Sequence, residues 1–327
     1  MGILILSIVI GLFIILCTMA KPNFFWNHRK ARGLRRLFGD GFTSIFYFII
    51  SIAIIALGIL NYMYPDENNL SKGYKLHMDG KYEEALAYYK KEIDIDPYSD
   101  VAYNNAGWAL NDLDRYEEAI TYCDKSIELE PKSAEPYANK GNALLALGEY
   151  EEALENYDLA LKYDAKCSYA YYGKGVINYD LGEYEKAIDC FEEYEKLKPK
   201  DIDAYYYLVE SHYNLGDFET AITYYDKIIA IDKNEEVVYL YKADALYYLD
   251  ENEEAINCYQ KAIELNNEFS EAFYGKSRVL ARLNRIDEAL IDLGKSIEFD
   301  EEYKEYAKED EAFDDLKSNA KFISLIK

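Results

Sequence analysis

Two hydrophobic patterns divide the chain. Residues 2–20 (GILILSIVIGLFIILCTMA) carry no charge, and Ile45–Leu60 is apolar nearly all round. A core helix of a soluble domain keeps a polar face. At ~1.5 Å per residue, runs of this length reach close to the ~30 Å of a bilayer's hydrocarbon. They predict two membrane-spanning helices, over 1–20 and 42–63, joined by a loop over 21–41. No Lys or Arg precedes the first run and no A-x-A site follows it, which argues against a cleaved signal peptide.

Beyond residue 65 the pattern changes to a strict period. Ala85, Ala119, Ala153, Ala187, Ala221, Ala255 and Ala289 lie 34 residues apart. Twelve residues earlier stand Gly73, Gly107, Gly141, Gly175, Val209, Ala243 and Ser277, mostly small, as two closely crossing helices require. Five before each Ala come Gly80, Asp114, Gly148, Gly182, Gly216, Asp250 and Asn284, residue types that tolerate a left-handed turn. Four after it come Tyr89, Cys123, Tyr157, Phe191, Tyr225, Tyr259 and Leu293, on the Ala face of one helix. The period predicts seven helix–turn–helix units over 66–303.

These residues resemble the tetratricopeptide repeat, and the segment KGNALLALGEYEEALENYDLAL at 140–161 is a close match. The resemblance implies an all-α fold, a right-handed α-solenoid of seven 34-residue repeats. Residues 304–327 keep Phe313, Leu316, Phe322, Leu325 and Ile326 among charges, which predicts a capping helix for the open end.

In that family the first helix of each unit lines a concave face, through the second, fifth, ninth, twelfth and thirteenth places. The resemblance therefore implies a peptide-binding groove lined by Tyr172, Tyr179, Tyr206, Tyr213, Tyr247, Tyr248 and Tyr274, with Asn104, Trp108, Asn111 and Asn142 nearer the membrane and Glu210 and Asp244 further along. Tyr172, Tyr206 and Tyr213 are the expected anchors, since a tyrosine offers a rigid ring and a hydroxyl at modest entropic cost. The second places hold no Lys or Arg, so capture of a C-terminal carboxylate, as in the chaperone-binding members, is not expected. A basic or polar-aromatic peptide fits better.

Charge sharpens the picture. Residues 1–60 hold six basic residues (Lys21, Arg29, Lys30, Arg32, Arg35, Arg36) against Asp40, while the remaining chain carries 30 basic and 60 acidic residues. A body of −30 repels phosphate backbones, which excludes nucleic-acid binding. The basic residues cluster between the two apolar runs, so the positive-inside rule places that link in the cytoplasm and the repeats outside, on a multi-pass cell-membrane protein. The same link has the charge to attract anionic lipid head groups.

Catalytic chemistry is absent from the sequence. The three His (His28, His77, His212) have no metal-ligand spacing, no phosphate loop or nucleophile motif occurs, and the paired acids such as Glu151-Glu152 sit where a helix N-terminus favours them. The five Cys have no C-x-x-C and serve as helix fillers. The chain is expected to be a non-enzymatic, membrane-anchored scaffold for protein–protein interaction, with no metal, cofactor or small-molecule substrate. The competing expectation is a structural subunit of a membrane or envelope assembly that packs through its convex face or on its own copies.

Overall fold

The computed structural model describes residues 2–63 and 68–327; the expected start of the first repeat, 66–67, lies outside the described residues. Among the described residues there is no strand. The chain forms two compact units, Met1–Pro97 and Tyr98–Lys327.

In the first unit, α1 (Gly2–Ala20), α2 (Asn23–Trp26) and α3 (Arg29–Met63) come first. α1 packs along α3, and Gly11 lies so near Ile55 that a Cβ there would run into its side chain. The expected loop over 21–41 is instead mostly helical. Residues 29–38 hold strong helix formers and no Pro, and Gly39 (φ 81°, ψ 169°) interrupts α3 just beyond them. Ala31 and Trp26 are buried at this corner, with the cations of Lys21 and Arg35 each 5.2 Å from the Trp26 ring. Of the two expected spans, the described residues contain one helix long and apolar enough to cross a membrane, over Arg29–Leu57, and a shorter apolar helix, Ile5–Ala20. The unit also carries the first helix pair, α4 (Asn69–Met78) and α5 (Tyr82–Ile95).

The second unit stacks six more helix pairs. They are α6 (Asp100–Asn111) with α7 (Tyr116–Leu129), α8 (Glu135–Ala146) with α9 (Tyr150–Tyr163), α10 (Ser168–Asp180) with α11 (Tyr184–Leu197), α12 (Ile202–Asn214) with α13 (Phe218–Ile231), α14 (Glu236–Tyr248) with α15 (Asn252–Leu265), and α16 (Ser270–Arg282) with α17 (Ile286–Phe299). All seven hinge residues, from Gly80 to Asn284, have positive φ, between 57° and 78°. Each turn closes by the same bond, as from the Arg115 N–H to the Leu110 carbonyl at 2.9 Å, which satisfies a helix-end carbonyl.

The small residues and the rings of the 34-residue pattern meet each other. A Cβ on Gly141 would lie 2.6 Å from the Tyr157 ring, one on Gly175 2.8 Å from Phe191, and one on Gly107 2.6 Å from the Cys123 sulfur. Tyr157, Phe191 and Cys123 are fully buried, so the missing side chain on the first helix is the room the second helix fills.

The C-terminal region departs from a single capping helix. It consists of α18 (Tyr303–Glu309), a 3₁₀ turn (Glu311–Leu316) and α19 (Ala320–Leu325). Asp310 and Asn319 break it, each turning its side chain back to cap the next segment, on the N–H groups of Ala312 and of Lys321 and Phe322. Phe313, Leu316 and Phe322 still reach the core, against Leu290 and Leu293 of α17.

Candidate functional site

The candidate site is the face made by the first helices α10, α12, α14 and α16. Successive pairs stack in register, so places five, nine and twelve of each unit line up from one first helix to the next. The expected tyrosines gather there in three ring clusters. Tyr172 meets Tyr207 edge-on at 6.0 Å and Tyr179 meets the same ring at 5.2 Å, while Tyr207 stacks on buried Phe191 at 4.8 Å. Tyr213 contacts Phe218 at 5.0 Å, and Tyr248 stacks on Phe218 at 4.9 Å with Tyr247 beside it. Tyr274 packs on Tyr303 at 4.7 Å. Tyr206 has no ring partner among the described residues; its hydroxyl donates to Glu235, at the N-terminus of α14.

Carboxylates take up three of the seven expected hydroxyls, those of Tyr179, Tyr206 and Tyr274, and that of Tyr259 on a second helix. Tyr179 donates to Glu210 at 2.5 Å, Tyr259 to Asp244 at 2.5 Å and Tyr274 to Asp310 at 2.9 Å. The Glu210 bond, and then burial, raise the Tyr179 pKa; burial, and then Glu235, raise that of Tyr206. Burial pushes Tyr172 up to about 12. These hydroxyls therefore remain neutral donors at physiological pH.

The arrangement corrects several expectations. Asn104 is buried and committed to the next unit, accepting from Asn139 at 2.8 Å and donating to Glu135 at 3.2 Å, so it does not face a ligand. Asn111 is held on the Asn139 carbonyl at 2.8 Å, and Asn142 accepts the Tyr157 hydroxyl at 2.8 Å. Trp108 is half-buried on the same helix, α6. Tyr274 is covered by the chain's own C-terminal region through Asp310. The acidic residues of this face are joined by arginines at the far end. Arg278 lies 4.9 Å and Arg282 5.1 Å from the Tyr247 ring centre, and Arg278 pairs with Asp310 at 2.8 Å. Both arginines were available to the sequence reading, since they fill the ninth and thirteenth places of their unit. Tyr207, Phe218 and Glu235 lie off those places, and only their neighbours in space bring them in.

Asp244 occupies the place that Asn142 fills three units earlier, and each accepts from the buried tyrosine of its own second helix. Burial raises the Asp244 carboxyl above its ordinary range, against the lowering effect of the Tyr259 bond and of Arg278. Ionising it in the fold therefore costs free energy, a cost absent below the unfolded-chain pKa and complete above the raised folded value. Asp244→Asn keeps the acceptor and removes the charge. It should stabilise the protein at neutral pH, a gain that shrinks as pH falls toward 4. Denaturant melts at pH 7 and pH 4 check this; an equal effect at both would contradict it.

Among the described residues no three His, Cys, Asp or Glu side chains group to hold a metal ion, and the five cysteines are free.

Comparison with known proteins agrees with this architecture. Tetratricopeptide-repeat family models match residues 101–133, 122–155, 139–202 and 180–236, and the model of anaphase-promoting complex, cyclosome, subunit 3 matches 214–296. No curated protein matches the chain. Among solved structures, YrrB, described as a TPR protein with an unusual peptide-binding site, is 27% identical with a TM-score of 0.52, over 57% of this chain and 97% of YrrB. The C-terminal part of a TPR repeat-containing protein from Cytophaga hutchinsonii superposes with a TM-score of 0.58 at 18% identity, over 79% of this chain and 99% of that one. The body of the chain is a tetratricopeptide-repeat α-solenoid.

Proposed function

We propose that this protein is a membrane-anchored scaffold that binds an extended peptide or protein segment along the first-helix face of its repeats. The observation that carries this is the run of tyrosines on α10, α12 and α14, of which Tyr172, Tyr179, Tyr213, Tyr247 and Tyr248 sit in fixed ring clusters and Tyr179 and Tyr206 are held by carboxylates. Rings held in place this way cost a ligand little ordering entropy. YrrB, similar over more than half of this chain, supports a peptide as the ligand class. Glu210 and Glu235 favour basic or polar-aromatic partners at the α12–α14 stretch, while Asp244, like Asn142, is taken up by the tyrosine of its own second helix, and Arg278 and Arg282 favour an acidic group beyond Tyr247.

The anchor reading rests on the apolar helix over Arg29–Leu57 and its partner α1, whose Ile5, Leu16, Ile45 and Leu57 are all more than half exposed. Aliphatic surface of this extent needs hydrocarbon around it. With Lys21 to Arg36 held in the cytoplasm, the repeats lie outside. Protease added to intact cells stripped of their wall should then digest the repeats, and full protection until lysis would invert this topology.

The binding reading is tested by crosslinking capture from intact membranes, followed by titration of the captured partner. Tyr206 is the informative position, because its ring packs on no other ring and its loss spares the clusters. Tyr206→Ala should weaken binding by at least about 1 kcal/mol with the melting curve little changed. Undiminished binding in Tyr172→Ala, Tyr206→Ala and Tyr213→Ala, with loss on changing the second helices, would favour the structural-subunit reading instead.

A further inference from the structure

The helical stretch Arg29–Phe38 has two unlike sides. Ala31 is 1% exposed, and Leu34 and Arg35 are half-buried; Arg35 spends its charge on Asp40 at 2.7 Å and on the Trp26 ring. On the opposite side Arg29, Arg32 and Arg36 follow one another at i, i+3 and i+7, so they share one face. All three are exposed, as is Lys30 beside them, and none has an ion-pair partner among the described residues. The repeats treat their cations differently: Lys140, Lys242, Lys276 and Arg278 are each paired with an aspartate within 3.1 Å. Three unpaired guanidiniums on one helix face form a fork-shaped donor set that suits phosphate oxygens, which each can hold with two parallel bonds.

We infer that Arg29, Arg32 and Arg36 form a binding face for the phosphate groups of anionic phospholipids. The inference rests on the membrane reading above and adds the ligand class. The setting commits the face to lipid. Leu37 and Phe38 stand beside the arginines 75% and 57% exposed, an arrangement with no use for a dissolved anion. Past the break at Gly39 follow the exposed apolar residues Phe42, Ile45 and Ile49. Arg36 thus stands one short break away in the chain from the apolar run, which keeps the arginines near the level where head groups meet acyl chains.

The test uses the full chain reconstituted into phosphatidylcholine vesicles that contain phosphatidylglycerol as a minority lipid. Spin-labelled versions of both lipids report which one the protein immobilises. Phosphatidylglycerol should be preferred by roughly three-fold at low salt. The triple variant Arg29→Gln, Arg32→Gln, Arg36→Gln should bring the ratio to parity. The charge-matched control Lys75→Gln, Lys81→Gln, Lys132→Gln, three exposed lysines on the repeats, should leave it unchanged. A chain that inserts but shows no preference, a preference that survives the triple variant, or an equal loss in the control overturns the lipid site while leaving the membrane reading intact. A chain that washes off with carbonate overturns both.

Discussion

Phe191→Ala should lower the stability of the repeat body by about 3–5 kcal/mol and loosen the tyrosine face of α10 and α12 with it. Phe191 is fully buried between α10 and α11, fills the space that Gly175 leaves open, stacks on Tyr207 at 4.8 Å and 8°, and meets Tyr172 edge-on at 5.6 Å. Truncation removes a large apolar surface, leaves a cavity that rigid helices cannot close, and strips the support from two rings of the first cluster. Chemical denaturation measures the stability, and fluorescence quenching of the tyrosines reports the exposure of Tyr172 and Tyr207. A cost below 1 kcal/mol would mean that the α10–α11 crossing is not packed as described.

The second large effect is a coupled one. Tyr157 runs between two first helices, with Gly141 on one side and Gly173 on the other, and its hydroxyl ends on Asn142. Gly141→Ser puts a Cβ 2.6 Å from the ring and should cost about 2–3 kcal/mol, despite the better helix propensity of Ser. The last repeat already shows the alternative solution, with Ser277 and Leu293 in the corresponding places and both fully buried. Combining Gly141→Ser with Tyr157→Leu should therefore cost at least about 1 kcal/mol less than the sum of the single changes. Strict additivity would show that the two places do not meet.

The repeat architecture was legible because it is written seven times. The alanine period, the small residue twelve places earlier and the left-handed hinge each recur, so a departure such as Val209 is outvoted; Val209 is accommodated, 2% exposed, over Tyr225. Which side would face a ligand was not in the period, and that expectation came from the family resemblance alone. What failed were readings of single residues whose partner lies one unit away. Asn104 looks like a free polar side chain on its own helix, yet a stacked neighbour brings Asn139 and Glu135 against it. Arg278 looks like one more solvated cation until Asp310, 32 residues later in the chain, closes on it. The basic link read as a loop because its charges are dense, but arginine, lysine and alanine are strong helix formers that carry the helix through Gly33, and the backbone leaves helical geometry at Gly39. The C-terminal region read as one helix because its apolar residues are spaced for one; its breaks come from Asp310 and Asn319, which compete for the backbone locally.

The bonds that hold the tyrosine hydroxyls also cross from unit to unit: Tyr179 on α10 reaches Glu210 on α12, Tyr206 on α12 reaches Glu235 before α14, and Tyr274 on α16 reaches Asp310 beyond α17. Each works as a tie across a joint on one side of the stack. Bending that opens the tied side must stretch a charge-assisted bond, whereas the apolar crossings between helices slide at smaller cost. The elasticity of the repeat body should accordingly be directional, stiff against opening of the tyrosine face and softer the other way. A ligand that fits the resting spacing of the rings binds without deforming the stack; one that needs them further apart must first break the ties.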